Sequence, residues 1–185
     1  MPLSANPVSR IRKHSRSIRF EGYARADGLW DIEAHLTDIK PDDYLLAPGV
    51  RPAGSPVHEM WVRLTIDRRM NVIQAEASTD AMPYPPYCAA IAPDYAALAG
   101  LNLMRGFRKA LYERFGQAHG CTHVTELLGQ FPSAAIQVLA GEQRDNYDDG
   151  TKPFQLDRCH ALDTRGVAVR LYYPRWQREV KTGTD

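Results

Sequence analysis

The segment 115–128 concentrates side chains that could do chemistry. Cys121, His123 and Glu126 are residue types that bind metals or transfer protons, and a glycine precedes them where a helix is predicted to begin. Unpaired N–H groups and the positive end of the helix dipole stabilise a thiolate at such a position. The pattern therefore favours Cys121 as a nucleophile or ligand. The alternative is that Cys121 only begins the helix, with His123 hydrogen-bonded locally.

Further cysteines and histidines occur elsewhere in the chain. Cys159 precedes a histidine, Cys88 lies in a proline-rich loop, and His58 stands at the start of a predicted strand. Zinc takes its ligands from cysteine, histidine and carboxylate, although no Cys-x-x-Cys pair is present here. Packed thiols or a metal-free pocket are the alternative. The candidate ligands for zinc or an iron–sulfur cluster are Cys88, Cys121, Cys159 and His123.

Acid–base chemistry is the other option for these residues. Histidine changes its charge near neutral pH, which suits a general base, although His58 could also be a satisfied interior histidine. Arg25 lies on a predicted hairpin and offers a planar fork for an anion or phenolate; ordinary cross-strand ion pairs are the alternative there. The predicted catalytic residues are His58, His123, Cys121 and Arg25. The predicted substrate-binding residues are Tyr84, Tyr87, Trp30 and Asp31.

Composition limits the class of protein. The 185 residues carry 23 basic and 22 acidic side chains, a net charge of +1, which predicts no nucleic-acid partner. No apolar run approaches the roughly 20 residues of a membrane helix, and no signal-peptide core is visible. Three cysteines are too few for a secreted disulfide framework. We therefore expect one cytoplasmic domain over 1–185, no membrane partner, an extended basic arm over 1–16, and an oligomeric state, homo-oligomers included, that the sequence leaves open.

The elements that must position these residues are mostly strands and then helices. Period-two alternation predicts strands over 17–25 and 30–37, joined by a type I′ turn at Asp27-Gly28, and strands over 57–66 and 71–78. The breaker-rich segment 40–56 is predicted to be a loop. Helices are expected over 102–115 and 122–139, the latter kinked or broken at Pro132. A last strand over 167–173 completes an α+β fold: an antiparallel sheet of about five strands with helices on one face.

The chain also carries motifs that resemble a bacterial domain family of unknown function. They are Arg25-x-Asp-Gly-Leu-Trp-Asp-Ile-Glu33, His58-Glu-Met60, Pro83-Tyr84, Gly120-Cys-Thr-His123 with Glu126-Leu127, and Cys159-His-Ala-Leu162. The family is frequent in bacteria that degrade aromatic compounds, so the resemblance implies an aromatic substrate. A more distant likeness to the U-type iron–sulfur scaffold and its sulfur-acceptor relatives matches Cys88 and Cys121 to the first and last cluster cysteines, with no middle cysteine at 96–99.

Two functional hypotheses follow. The first is a cofactor-independent enzyme that acts on an aromatic or phenolic metabolite by general acid–base chemistry, with a lyase as the expected type. The second is a protein that binds zinc or an iron–sulfur cluster through cysteine and histidine. An interaction module without a pocket at these residues is a third alternative.

Overall fold

The computed structural model describes residues 3–141, 150–153 and 155–178. Backbone contacts divide the chain into two compact units, Met1–Gly141 and Glu142–Asp185. The first unit contains the whole sheet and the helices that cover it. The second contains one short α-helix and two 3₁₀ turns in its described part. The single domain over 1–185 stays a prediction.

The first unit is built on a four-stranded antiparallel sheet in the order β1-β2-β5-β6. Its strands are β1 (Ser15–Ala24), β2 (Trp30–Ile39), β5 (Pro56–Ile66) and β6 (Val72–Ala81). Two short strands, β3 (Tyr44–Leu46) and β4 (Gly49–Arg51), form a separate hairpin between β2 and β5. The predicted α+β class with an antiparallel sheet is confirmed.

Alternation of side chains along β2 determines which face of the sheet is buried. Every second residue from Trp30 to Asp38 is buried, and those between are only partly covered. The same register puts Met60, Val62 and Leu64 of β5 on the buried face, directly opposite β2 partners. Because successive side chains point to opposite faces, one covered face is enough to specify the register.

Helices cover that buried face. α1 (Phe107–Phe115), α2 (Thr122–Leu128) and α3 (Phe131–Ala140) supply apolar side chains to one core shared with the sheet. α2 contacts β5, and α3 contacts β1 and β2. A 3₁₀ helix over Ala92–Leu98 packs beside β6. None of the helices in the described part of the chain has the length and apolar character needed to span a bilayer.

Two predicted elements are wrong. Segment 40–56 was predicted to be a loop but contains the β3–β4 hairpin. Its glycines and prolines do not prevent the strands, because they lie at the turn and the ends of the hairpin. Residues Val167–Tyr172 form helix α4 of the second unit, with Val169 buried and Val167 and Leu171 exposed. A strand would put all three on one face, so the apolar alternation there is incidental.

Three boundaries also differ from prediction. β1 begins at Ser15, so the arm predicted over 1–16 is shorter. Gly28 has φ of 84° and closes a three-residue loop between paired Arg25 and Leu29, whereas a type I′ turn would also need a positive φ at Asp27, which Asp27 lacks. The helix predicted over 102–115 begins only at Phe107. The predicted break in the 122–139 helix is confirmed, since the segment forms α2 and α3 with Pro132 in the first turn of α3.

Close packing of α3 on β1 depends on a missing side chain. A Cβ added to Gly22 would overlap the side chain of Val138 on α3. Phe20, two residues earlier on the same face, packs edge to face on Phe131 at 5.2 Å between ring centroids. The helix therefore cannot retreat from Gly22 without losing contact at Phe20.

We expect Gly22→Ala to lower the free energy of unfolding by about 2 kcal/mol, because overpacking forces rigid side chains apart. Chemical denaturation measures this loss. The double variant Gly22→Ala/Val138→Ala should recover part of it, and Gly141→Ala, with open space and φ of −66°, is the matched control. Equal effects in Gly22→Ala and Gly141→Ala would contradict the packing argument.

Candidate active site

A row of three polar residues crosses the buried face at one end of the sheet. Arg16 on β1 pairs with Asp38 on β2, and Asp38 pairs with His58 on β5. The neighbouring row on that face is apolar: Leu36 of β2 lies between Ile18 of β1 and Met60 of β5. Arg16 lies near the start of β1, Asp38 near the end of β2 and His58 near the start of β5. Because neighbouring strands are antiparallel, these three positions lie at the same end of the sheet.

Asp38 is the centre of this cluster, with a side chain that is 5% exposed. Its Oδ1 accepts hydrogen bonds from Arg16 Nε and His14 Nε2, both at 2.8 Å. Its Oδ2 accepts from Arg16 Nη2 at 2.7 Å and from His58 Nδ1 at 3.1 Å. A carboxylate has about four lone-pair sites, so the protein already fills the acceptor capacity of Asp38.

These bonds determine the charge of Asp38. Burial by itself would raise the pKa of the carboxyl group, but the hydrogen bonds from Arg16 and His14, with the charge of Arg16, outweigh it and hold the pKa at about 2. Asp38 is therefore an anion at neutral pH. It can only accept hydrogen bonds, so the bonded Nδ1 of His58 must carry the proton.

The two histidines of the site lie face to face. The rings of His58 and His123 are 3.9 Å apart between centroids and tilted by 32°. His123 Nε2 lies 3.7 Å from Asp38 Oδ2. Burial lowers the pKa of both imidazoles; the charge of His123 adds to this for His58, and the charge of Arg16 for His123. Both rings are thus neutral at pH 7.

Helix α2 brings His123 over the sheet. Its first turn is held by buried Tyr95, whose hydroxyl accepts the N–H of Cys121 at 2.9 Å and lies 3.1 Å from the hydroxyl of Thr125. Glu126, one turn after His123, lies 3.5 Å from a free edge of the Arg16 guanidinium. The helix is therefore tied to the core at Tyr95 and to the ionic row at Arg16.

A cleft of about 460 Å³ opens at this edge of the sheet. The β3–β4 hairpin and the loop after β6 form its walls, and Arg51 of β4 donates a hydrogen bond to the carbonyl of Met82 at 2.8 Å. The lining residues are His14, Arg16, Asp38, Lys40, Tyr44, Leu46, Val57, His58, Pro83, Tyr84 and His123.

Three residues predicted from sequence come together in this cleft. His58 and His123 form its polar floor, and Tyr84, half of it exposed, forms part of a wall. Tyr87 does not line the cleft and is 80% exposed. Cys121 is at the predicted helix start, as the N-cap of α2, but its side chain packs against the apolar core.

The other predicted residues lie at the opposite end of the sheet. Arg25 follows Ala24, which pairs with Trp30, eight positions along β2 from Asp38 or roughly 26 Å at the usual strand rise. Trp30 is a core residue with 8% exposure. Arg25 binds Asp27 and Asp31 on the outer face, the ordinary ion pairs that were the alternative. The structure therefore does not bring Arg25, Trp30 and Asp31 to the cleft, in contrast to the site predicted from sequence.

The group of possible metal ligands that the structure brings together differs from the predicted cysteine set, which stays a prediction. In the described segments, the cluster of three ligand atoms within 4.8 Å of one another belongs to Asp38, His58 and His123, and it includes no cysteine. Cys88 is half-buried in the loop after β6, and Cys159 is exposed in the second unit.

Sequence reasoning missed four acidic or basic residues of the cleft, His14, Arg16, Asp38 and Lys40, as well as the wall residues Tyr44, Leu46, Val57 and Pro83. One signal was present. The buried alternation of β2 continues past Leu36, which places a carboxylate at Asp38 on the apolar face. A buried carboxylate needs a cationic partner, and the basic residues His14 and Arg16 come directly before the strand predicted over 17–25.

We expect Asp38→Asn to lower the free energy of unfolding by about 3 kcal/mol, because Arg16 loses a buried counterion while remaining one-third exposed. The wild type should also lose stability as pH falls from 3.8 to about 2, since the unfolded carboxyl binds the proton first; the variant should not show this contribution. Urea titrations across pH measure both effects. Asp42→Asn, at a 71% exposed carboxylate, is the control and should change stability by less than about 0.5 kcal/mol. An Asp38→Asn protein as stable as this control would contradict the ionic row.

Comparison with known families matches residues 14–137 to DUF2889, described as a protein of unknown function. Comparison with curated proteins and with solved structures gives no match. The matched segment begins at His14, contains every residue of the cleft, and ends within the first unit. The likeness to an iron–sulfur scaffold stays a prediction. Since the match covers more than half of the chain, the protein belongs to the DUF2889 family, and the predicted membership of a family of unknown function is confirmed.

Proposed function

We propose that this protein is a metal-independent acid–base enzyme that acts on a small aromatic or phenolic metabolite, with a lyase reaction as the expected type. The observation that carries the proposal is the pair of neutral histidines, 3.9 Å apart, on the floor of the cleft beside an ionised carboxylate. Titratable groups with perturbed pKa values that converge in a cleft are candidates for proton transfer.

The hydrogen bond to Asp38 supports a role for His58 as the general base. Because Nδ1 carries a proton toward the carboxylate, Nε2 is the unprotonated nitrogen and can act as a general base. Asp38 fixes the ring and stabilises the imidazolium that forms, which is the function of the carboxylate in other carboxylate–histidine pairs. A pKa lowered from 6.5 keeps His58 in its basic form at neutral pH.

His123 supplies the second half of a proton cycle. After His58 has taken a proton from the substrate, the positive charge on its ring disfavours protonation of the adjacent imidazole. The proton can then return, directly or through His123, to the atom that leaves when the substrate bond breaks. One proton is taken from the substrate and one is returned to the leaving group, so the protein ends in the protonation state in which it began.

The walls of the cleft support an aromatic substrate. Tyr44 and Tyr84 offer rings, and Leu46, Val57 and Pro83 offer apolar surface. A volume of about 460 Å³ is within the usual range of small-molecule sites. An apolar, aromatic wall above a polar floor orients a planar ring with its polar substituent toward the histidines.

We expect His58→Gln and His123→Gln each to reduce kcat/KM by roughly 10²- to 10⁴-fold, the range for loss of a positioned acid or base. The assay uses phenolic compounds with hydroxylated side chains and follows the products by mass spectrometry. The wild-type rate should fall as pH drops, with an apparent pKa below 6.5, because protonation removes the base. His119→Gln, at an exposed histidine before α2, is the matched control. Turnover that survives unchanged in both site variants would refute the proposal.

A metal-dependent enzyme is the second candidate, and one observation favours it. Ligand atoms of Asp38, His58 and His123 lie within 4.8 Å of one another, a set of two histidines and one carboxylate that suits several divalent metals. Two features oppose it. Asp38 already accepts four hydrogen bonds, two of them from Arg16. A divalent cation bound there would face the guanidinium charge, which weakens binding.

Elemental analysis and thermal unfolding separate the two candidates. For the metal-independent enzyme we expect well under one equivalent of zinc or iron in protein purified without added metal, with Tm and turnover unchanged by a chelator. A stoichiometric metal whose removal lowers Tm in the wild type, but not in His58→Gln/His123→Gln, would establish the second candidate instead.

A further inference from the structure

We propose that the ligand of this cleft carries an anionic oxygen, a carboxylate or a phenolate, and that Lys40 binds it at the cleft wall beside Tyr44. This inference deepens the proposed function and rests on the cleft being its active site. It transfers the anion-binding role predicted for Arg25 to a different residue, at the other end of the sheet.

The first argument is the distribution of charge around the cleft. Arg16 is neutralised by Asp38 and lies 3.5 Å from Glu126, and His14 is bonded to the same carboxylate. Lys40 is different. Within the described ranges, it is the cation of the cleft lining whose ammonium has no carboxylate within 4.0 Å. Among the residues that line the cleft, the charges of Arg16 and Asp38 cancel, and the positive charge of Lys40 has no partner in an ion pair; Glu126, which contacts Arg16, does not line the cleft.

The second argument is that the Lys40 ammonium is held in place. It lies 5.2 Å from the ring centroid of Tyr44, a cation–π arrangement that keeps the flexible stem against the β3 wall. The main chain is fixed as well, since the Lys40 carbonyl accepts the Gly54 N–H at 2.9 Å. An ammonium ordered beside an aromatic wall is prepared for a ligand that has both an anionic group and a ring.

The third argument is the position of Lys40 relative to the reactive groups. Lys40 follows Asp38 by two residues along the same strand direction, and the β2–β5 register shifts between Asp38 and Ile39. The Cα of Lys40 therefore lies roughly 7 Å from the Cα of Asp38, at the end of β2 where the cleft opens. A ligand bound there extends over Tyr44 toward His58 and His123.

The test is a binding measurement that needs no turnover. Benzoate and benzamide have nearly the same shape but differ in charge; 4-nitrophenolate above its pKa and 4-nitroanisole make the corresponding phenolate pair. Ring resonances of His58 and His123 in NMR titrations report occupancy. We expect at least one anion to bind 10-fold or more tightly than its neutral partner. The pair that shows the preference identifies a carboxylate or a phenolate as the recognised group.

Variants connect the preference to Lys40. Lys40→Met keeps the aliphatic stem and should remove the preference, whereas Lys40→Arg should retain most of it. Lys13→Met, at a 74% exposed lysine, is the matched control and should behave as wild type. The inference is overturned if neither anion gives a saturable shift, if the neutral partners bind equally well, or if Lys40→Met keeps the preference.

Failure of the proposed function would look different. An anion preference that requires Lys40, together with turnover unaffected by His58→Gln, would support the binding site and refute the acid–base role. Turnover that requires His58, with no anion preference, would do the reverse.

Discussion

The ion pair between Asp38 and Arg16 is the constraint on which this end of the sheet depends. Asp38 occupies a position that the alternation of β2 directs into an apolar core, and an unpaired carboxylate there would be very costly. Its four acceptor sites are filled from the segment before β1, from β1 itself and from β5. Three parts of the chain are therefore ordered by one side chain.

The same ion pair explains how the histidines can be oriented and still be neutral. A lone buried anion would raise the pKa of the nearby imidazoles and favour their charged forms. Here burial is the largest influence and lowers both pKa values, and the charge of Arg16 also opposes that of Asp38 at both rings. Asp38 thus orients His58 through its hydrogen bond, while burial and the neighbouring positive charges outweigh its tendency to raise the pKa of the ring. The hydrogen bonds of Asp38 therefore both stabilise the fold and orient His58 in the cleft.

Period-two alternation predicted the four long strands, but the site depends on register, which the pattern does not determine. In the structure β1 and β2 are joined by a three-residue loop, and Arg16 pairs with Asp38. A two-residue turn at Asp27-Gly28 would shift the pairing by one residue and turn Arg16 to the outer face. The apolar alternation of Ile18 and Phe20 already favoured the longer loop. Helix α4 was missed for a related reason: six residues are too few for periodicity to distinguish helix from strand.

Both ends of the sheet contain arginine and carboxylates, and burial is what distinguishes them. At the hairpin end, Arg25 satisfies Asp27 and Asp31 on the surface, where such pairs contribute little and leave nothing unpaired. At the other end, the core forces Asp38 and Arg16 to satisfy each other, which leaves two neutral imidazoles and the Lys40 ammonium facing a cleft. Residue types alone do not show which of the two ends contains the candidate site. The difference arises because the sheet buries the Asp38 end. Polar groups there that are not fully bonded to one another can bind a ligand.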